Sequence, residues 1–187
     1  MARGMSIPAA YAWLFKLSGL PKTISLALKE YGVKEVVGRG SSKTIISWRD
    51  ELNHAGVKIE GYSDDDIPWC GLFAAIICYR RMKDAGEVVK SPLWARNWTK
   101  YGTKAAVPSL GDVLVFQRGS GGHVGFYVGE DRNCYHVLGG NQSNQVSIAI
   151  LQKSRLLDAR RPPYKTQPRG VKPYRLNVVG TISTNEA

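Results

Sequence analysis

Residues 63–77 read Ser63-Asp64-Asp65-Asp66-Ile67-Pro68-Trp69-Cys70-Gly71-Leu72-Phe73-Ala74-Ala75-Ile76-Ile77. Serine and aspartate are favoured helix N-caps and proline is tolerated in a first helical turn, so a helix is predicted to begin here. Its apolar residues recur at helical spacing, and Gly86 is predicted to end it. We therefore expect Cys70 in the first turn of a buried helix, where backbone N–H groups without helical partners stabilise a thiolate.

The cysteines allow two interpretations of Cys70. It could be a nucleophile, or it could be a small buried hydrophobic residue, as free cysteines commonly are. The chain has three cysteines, and the other two are Cys78 and Cys134. Their number and spacing fit neither a disulfide framework nor a set of metal ligands, so no metal and no cofactor are predicted.

Composition limits the class of protein. The chain has 187 residues, of which 43% are hydrophobic, and this suits one compact domain with a real core. Its formal net charge of +11 favours anionic partners such as acidic polymers or membranes. No basic helix with interleaved aromatic residues is present, so nucleic acid is not expected. The apolar run Met5–Phe15 ends at Lys16 without a clean cleavage site, which predicts a cytoplasmic protein or export by another route.

The order of the predicted elements indicates an α+β fold, with helices first and strands afterwards. Residues 7–29 look helical but are broken by prolines, and Thr44–His54 forms a second helix. Five short strands joined by glycine-rich turns are predicted at 112–116, 123–128, 133–138, 145–151 and 156–160. From Arg161 onward the sequence is rich in proline and polar residues, which predicts an extended, poorly ordered tail.

His123 supplies the base that a cysteine nucleophile needs. It opens a strand in which Val124, Phe126 and Val128 share one apolar face, and Gly125 leaves room for a close neighbour. A third polar group must hold the imidazole in the right tautomer.

Four residues are candidates for that third group. Asn141, at the end of the next strand, is the preferred one, although asparagine after two glycines is also a common turn residue. His136 is the rival, and Gln142 and Asp66 are weaker candidates. Trp94 and Trp98 lie four residues apart, so core packing is favoured for both, while an exposed tryptophan would line a binding groove.

Four sequence blocks together resemble the CHAP and NlpC-like cysteine peptidases. They are Trp69-Cys70-Gly71-Leu72-Phe73, Leu110-Gly111-Asp112-Val113-Leu114-Val115-Phe116, Gly122-His123-Val124-Gly125-Phe126-Tyr127 and Val137-Leu138-Gly139-Gly140-Asn141-Gln142. The block order is similar to that of a group of small phage and prophage proteins. The resemblance runs from about residue 31 to 162, and the sequence departs from the NlpC pattern because Trp69 rather than aspartate precedes the cysteine.

The resemblance implies a papain-like fold with helices packed on an antiparallel sheet. It divides the chain into an N-terminal helical extension (1–30), a CHAP/NlpC-like catalytic domain (31–162) and a basic, proline-rich tail (163–187). Cys70 would be the nucleophile, His123 the general base and Asn141 the residue that orients the imidazole. Trp69, Trp94 and Gln142 are predicted to bind substrate.

The expected function is hydrolysis of amide bonds in cell-wall peptide stems, by an endopeptidase or an N-acetylmuramoyl-L-alanine amidase, in a phage lysin. The alternatives are an injected antibacterial amidase toxin, a non-catalytic cell-wall-binding module and a phage assembly protein. The expected partners are peptidoglycan and anionic wall or membrane polymers. A monomer is expected, and the protein would lie in the host cytoplasm before its release to the cell wall or periplasm.

Overall fold

The computed structural model describes residues 7–177 and 180–183, and it has the α+β fold that the element order predicts. The helices are α1 (Lys22–Lys29), α2 (Lys43–His54) and α3 (Cys70–Met82), with short 3-10 helices at Ala9–Lys16, Ala85–Glu87, Ala95–Lys100 and Lys153–Arg155. The strands are β1 (Thr103–Lys104), β2 (Val113–Arg118), β3 (Gly121–Glu130), β4 (Cys134–Gly139), β5 (Ser147–Gln152) and β6 (Leu156–Arg161).

The six strands form one antiparallel sheet in the order β1-β6-β2-β3-β4-β5. Because strand side chains alternate between faces, Val124, Phe126 and Val128 of β3 point to one side, where they join the main hydrophobic core with α3. A second cluster includes Phe116, Tyr127 and other residues of the sheet. The central strands are therefore apolar on both faces, and α3 is held directly against β3.

Helix α3 begins later than the acidic stretch predicts. Asp64–Asp66 precede it in a turn, and the Oδ2 atom of buried Asp65 accepts hydrogen bonds from the backbone N–H groups of Val36 and Ser42 at 3.0 and 2.7 Å. The carboxylate thus fixes a preceding loop instead of capping the helix. The helix also ends before Gly86, at Met82, because Lys83 adopts the left-handed conformation that terminates a helix.

Both ends of the described chain pack on the central domain. The tail is extended, as expected, but it is hydrogen-bonded: the N–H of Gly170 donates to the carbonyl of Gly19, and the N–H of Leu176 donates to the carbonyl of Glu130. The expectation of a poorly ordered tail is therefore wrong for residues 163–177. The division at residues 30 and 162 stays a prediction, and so does a tail that continues to residue 187, since residues 184–187 lie outside the described part.

Among the described residues, no helix combines the length and the apolar character that crossing a membrane requires.

Candidate active site

Cys70 is the first residue of α3, as the sequence predicts for a nucleophile, and only 2% of it is exposed. The start of the helix is pressed against the segment before the Ala95–Lys100 helix. A Cβ atom on Gly71 would lie 2.2 Å from the carbonyl oxygen of Pro92 and 2.9 Å from the Cα of Leu93. Only glycine fits there, so this close approach fixes the position of Cys70.

The thiol of Cys70 lies against the beginning of β3, where its Sγ interacts with the backbone of Val124. Burial raises the pKa of the thiol, while the backbone groups of Val124, Gly71 and Cys70 itself and the charge of Arg118 lower it. Burial is the largest of these effects, so the net direction is upward and opposes the thiolate that the first helical turn favours. A base that accepts the thiol proton is therefore needed, and His123 is the residue before Val124.

Gln142 holds the imidazole of His123. The Nε2 of His123 and the Oε1 of Gln142 are 3.0 Å apart, and both side chains are buried. The Nε2 of Gln142 donates to the carbonyls of Val137 and Ser147, at 3.1 and 2.6 Å. Because those two acceptors fix the amide, its oxygen faces the imidazole, which must then donate from Nε2. In the neutral ring this leaves Nδ1 as the basic nitrogen.

The approach of Gln142 to His123 depends on the glycine pair at the end of β4. A Cβ atom on Gly139 would lie 2.8 Å from the Oε1 of Gln142 and 3.3 Å from the Nε2 of His123. A Cβ atom on Gly140 would lie 2.6 Å from the Cβ of Phe73, on α3. The two glycines therefore let this turn contact the imidazole of His123 on one side and α3 on the other.

The other candidates for the orienting residue have different surroundings from Gln142. Asn141 is buried beside Gln142 with φ of +54°, a left-handed turn conformation that asparagine tolerates. His136 is buried on β4, where its Nδ1 lies 2.6 Å from the hydroxyl of Tyr11 and its Nε2 lies 3.5 Å from the carboxylate of Asp131. Asp66 is exposed in the turn before α3. The Nε2–H of His123 donates a hydrogen bond to the amide oxygen of Gln142, which the sequence ranked below Asn141.

A cleft of about 710 Å³ opens at Cys70. One wall is apolar and includes Ile67, Leu93 and Trp94, and the other is the hairpin from Arg118 to Gly122. Trp94 is 72% exposed, and together with Leu93 it also lines a neighbouring cleft of about 610 Å³. Trp94 therefore stands between two adjoining depressions, a position suited to the substrate contact predicted for it.

The other aromatic candidates and Gln142 lie inside the protein. Trp69 is fully buried, and its indole Nε1 donates to the carboxylate of Glu35 at 3.1 Å. Its ring packs beside Trp48 under the start of α3. Because the side chain is buried, the prediction that Trp69 binds substrate is corrected. Trp98 is also fully buried, as core packing predicts, and Gln142 reaches His123 instead of the cleft.

Two features of this region escaped the sequence analysis. One is the contact of Gln142 with His123, and the other is Arg118, which ends β2 at the mouth of the cleft. The sequence did contain a signal for Arg118, because a cation directly before a glycine-rich hairpin loop lies next to the strand that carries His123.

Among described residues, Asp64–Asp66 bring carboxylate oxygens within 4.8 Å of one another, but Asp65 Oδ2 already accepts hydrogen bonds from backbone N–H groups.

In a comparison with known families, residues 62–141 match the family model of the CHAP domain. The matched segment contains Cys70, His123 and Asn141, and it ends one residue before Gln142. CHAP domains are typically cysteine-dependent amidohydrolases of peptidoglycan. The comparison with curated proteins found no match.

Proposed function

We propose that this chain, whose residues 62–141 match the family model of the CHAP domain, hydrolyses amide bonds in the peptide stems of peptidoglycan. Cys70 is the nucleophile, His123 is the general base and Gln142 orients the imidazole. The observation that carries the proposal is the arrangement around β3, in which the Cys70 thiol contacts the backbone of Val124 while Gln142 holds the adjacent His123. The open cleft at Cys70 gives a peptide access to the thiol.

The first half of the reaction forms a thioester. As Sγ of Cys70 bonds to the carbonyl carbon, the thiol proton moves to Nδ1 of His123. The backbone N–H of Cys70, at the start of α3, has no helical acceptor and is suited to stabilising the oxyanion. When the C–N bond breaks, the imidazolium returns that proton to the leaving amine. Gln142 holds Nε2–H throughout and stabilises the imidazolium.

The second half of the reaction restores the enzyme. Water enters the position of the amine, gives a proton to Nδ1 of His123 and attacks the thioester carbonyl. The C–S bond then breaks, the acid product leaves and the thiol recovers the proton from His123. Proton transfer to and from one nitrogen serves both halves, so the tautomer that Gln142 selects is used twice.

The test is the release of soluble fragments from purified peptidoglycan by wild-type protein and by Cys70→Ala. We expect release to fall by at least about 1,000-fold in Cys70→Ala, because the nucleophile is lost. Cys134→Ala removes a thiol from β4 and serves as the matched control. Mass spectrometry of the fragments identifies the bond and separates an endopeptidase from an amidase. Equal release by wild type and Cys70→Ala would contradict the proposal, and wall binding without any release would favour a non-catalytic binding module.

The route to the wall belongs to the same proposal. We infer a phage lysin, monomeric and held in the host cytoplasm before it reaches the wall or periplasm. Support comes from the similarity of the four sequence blocks to small phage proteins and from the net charge of +11, which suits anionic wall polymers. An injected antibacterial toxin would use the same chemistry and differs only in delivery.

A further inference from the structure

Arg118 brings an isolated positive charge to the Cys70 cleft. It is the last residue of β2, it is partly buried, and it begins the hairpin that forms one wall. Of the described residues that line this cleft, Arg118 is the only one with a charge. Arg118 and Cys70 line the same cleft, and the positive charge of Arg118 lowers the pKa of the Cys70 thiol.

The guanidinium has hydrogen-bonding capacity to spare. Its Nη1 is buried and has no hydrogen-bond partner in the described part of the chain. Other arginines of this protein are paired: Arg80 with Glu51, Arg81 with Glu87, and Arg161 with Asp112. A buried, unpaired donor on a charged group costs free energy. Among the described residues the Nε of Arg81 is also buried without a hydrogen-bond partner, but the guanidinium of Arg81 is paired with the carboxylate of Glu87.

We propose that Arg118 binds a carboxylate of the substrate next to the scissile amide. The substrate class is therefore a peptide with a free acidic group beside the bond that Cys70 attacks, and its apolar parts contact Trp94 and Leu93 on the opposite wall. A guanidinium fork matches a carboxylate geometrically and binds it more strongly than it binds a neutral amide. For the identity of the substrate, this inference rests on the proposed function.

The anion site is tested first without any substrate, by alkylation of Cys70. Iodoacetate and iodoacetamide both alkylate the thiolate, forming a C–S bond as iodide leaves, but only iodoacetate carries a carboxylate. The ratio of their rates at Cys70, located by fragmentation mass spectrometry, is independent of the thiolate fraction because that fraction affects both reagents equally. A change in the ratio therefore separates anion binding from a mere effect of Arg118 on thiol ionisation.

We expect Arg118→Gln to lower the iodoacetate-to-iodoacetamide ratio by about five- to tenfold. Arg118→Lys should keep part of it, since a lysine retains the charge without the fork. The matched control is Arg132→Gln, which removes one exposed positive charge from the turn between β3 and β4. An unchanged ratio in Arg118→Gln, or an equal fall in Arg132→Gln, would overturn the proposal.

The second arm uses synthetic stem peptides that differ only in one group beside the scissile amide, a free carboxylate or a carboxamide. Wild type should cleave the acid about 10- to 100-fold more efficiently in kcat/KM, and in Arg118→Gln the ratio of the two kcat/KM values should fall towards one. A preference that survives in Arg118→Gln would contradict the role of Arg118. If neither peptide nor peptidoglycan is cleaved while the alkylation ratio still falls, the proposed function fails and the anion site stands.

Discussion

The amide of Gln142 determines which nitrogen of His123 is basic, and this can be tested with one substitution. Gln142→Ala removes the acceptor at 3.0 Å from Nε2, so the ring loses the bond that selects its tautomer. We expect kcat for fragment release to fall by about 10- to 100-fold with the fold intact. The neighbouring Asn141→Gly keeps the backbone conformation, because glycine adopts φ of +54° readily, and should remain within about threefold of wild type.

The opposite pattern, with activity lost in Asn141→Gly and kept in Gln142→Ala, would return the orienting role to Asn141.

The sequence identified the nucleophile and base candidates by their local context, a helix start and a strand start. It could not separate Asn141 from Gln142, because both follow the same strand. Their roles depend on the path of the turn after Gly140, where the positive φ of Asn141 comes between the glycines and Gln142.

At the scale of elements, the contact between the turn after β4 and α3 positions the helix that begins with Cys70. Gly140→Ala would place a Cβ atom 2.6 Å from the Cβ of Phe73 and 2.7 Å from the ring of Trp69, both fully buried. Neither neighbour is a flexible side-chain end, so the turn or the helix must move. We expect a loss of about 1–3 kcal/mol in the free energy of unfolding, measured by urea denaturation, and reduced fragment release.

Gly121→Ala is the matched control for that stability measurement, since its added Cβ would meet only the carbonyl oxygen of Arg118, at 3.6 Å. Equal stability of Gly140→Ala and Gly121→Ala would show that the turn does not bear on α3.

The sequence predicted five of the six strands, because alternation and glycine turns are local signals. It missed β1, which is two residues long and exists only by pairing with β6, and it began α3 too early because Asp65 bonds a distant loop.

At the scale of the whole molecule, segments near both ends of the described chain contact the sheet or each other. The proline-rich composition after Arg161 predicted an extended segment correctly, but composition does not reveal that the N–H of Gly170 donates to Gly19 near the other end of the chain, or that the N–H of Leu176 donates to Glu130 at the end of β3. Near the other end, Tyr11 reaches His136 on β4. These long-range contacts depend on tertiary geometry, which no local pattern encodes, so the sequence could not anticipate the contacts that residues near both ends of the described chain make.

The burial of His136 predicts how stability depends on pH. Burial lowers the pKa of His136 below its ordinary value of 6.5, and the carboxylate of Asp131 only partly opposes this effect. Well above pH 6.5 the imidazole is neutral in both the folded and the unfolded state, so His136 adds no pH dependence to the free energy of unfolding. Below that pH the unfolded chain binds the proton first, so stability falls until the folded pKa is reached, by at most about 1.4 kcal/mol per pH unit.

The measurement is urea unfolding between pH 7.5 and pH 5 for wild type and His136→Gln, which keeps a polar side chain near Tyr11 and Asp131. The variant should show the shallower decline on acidification, since one titrating group is gone. His54→Gln removes an exposed histidine and should follow the wild-type slope. His123 is present in all three proteins, so the difference isolates His136. Parallel slopes for wild type and His136→Gln would mean that the burial of His136 carries no such penalty, because the buried ring would then accept its proton as readily as the unfolded chain does.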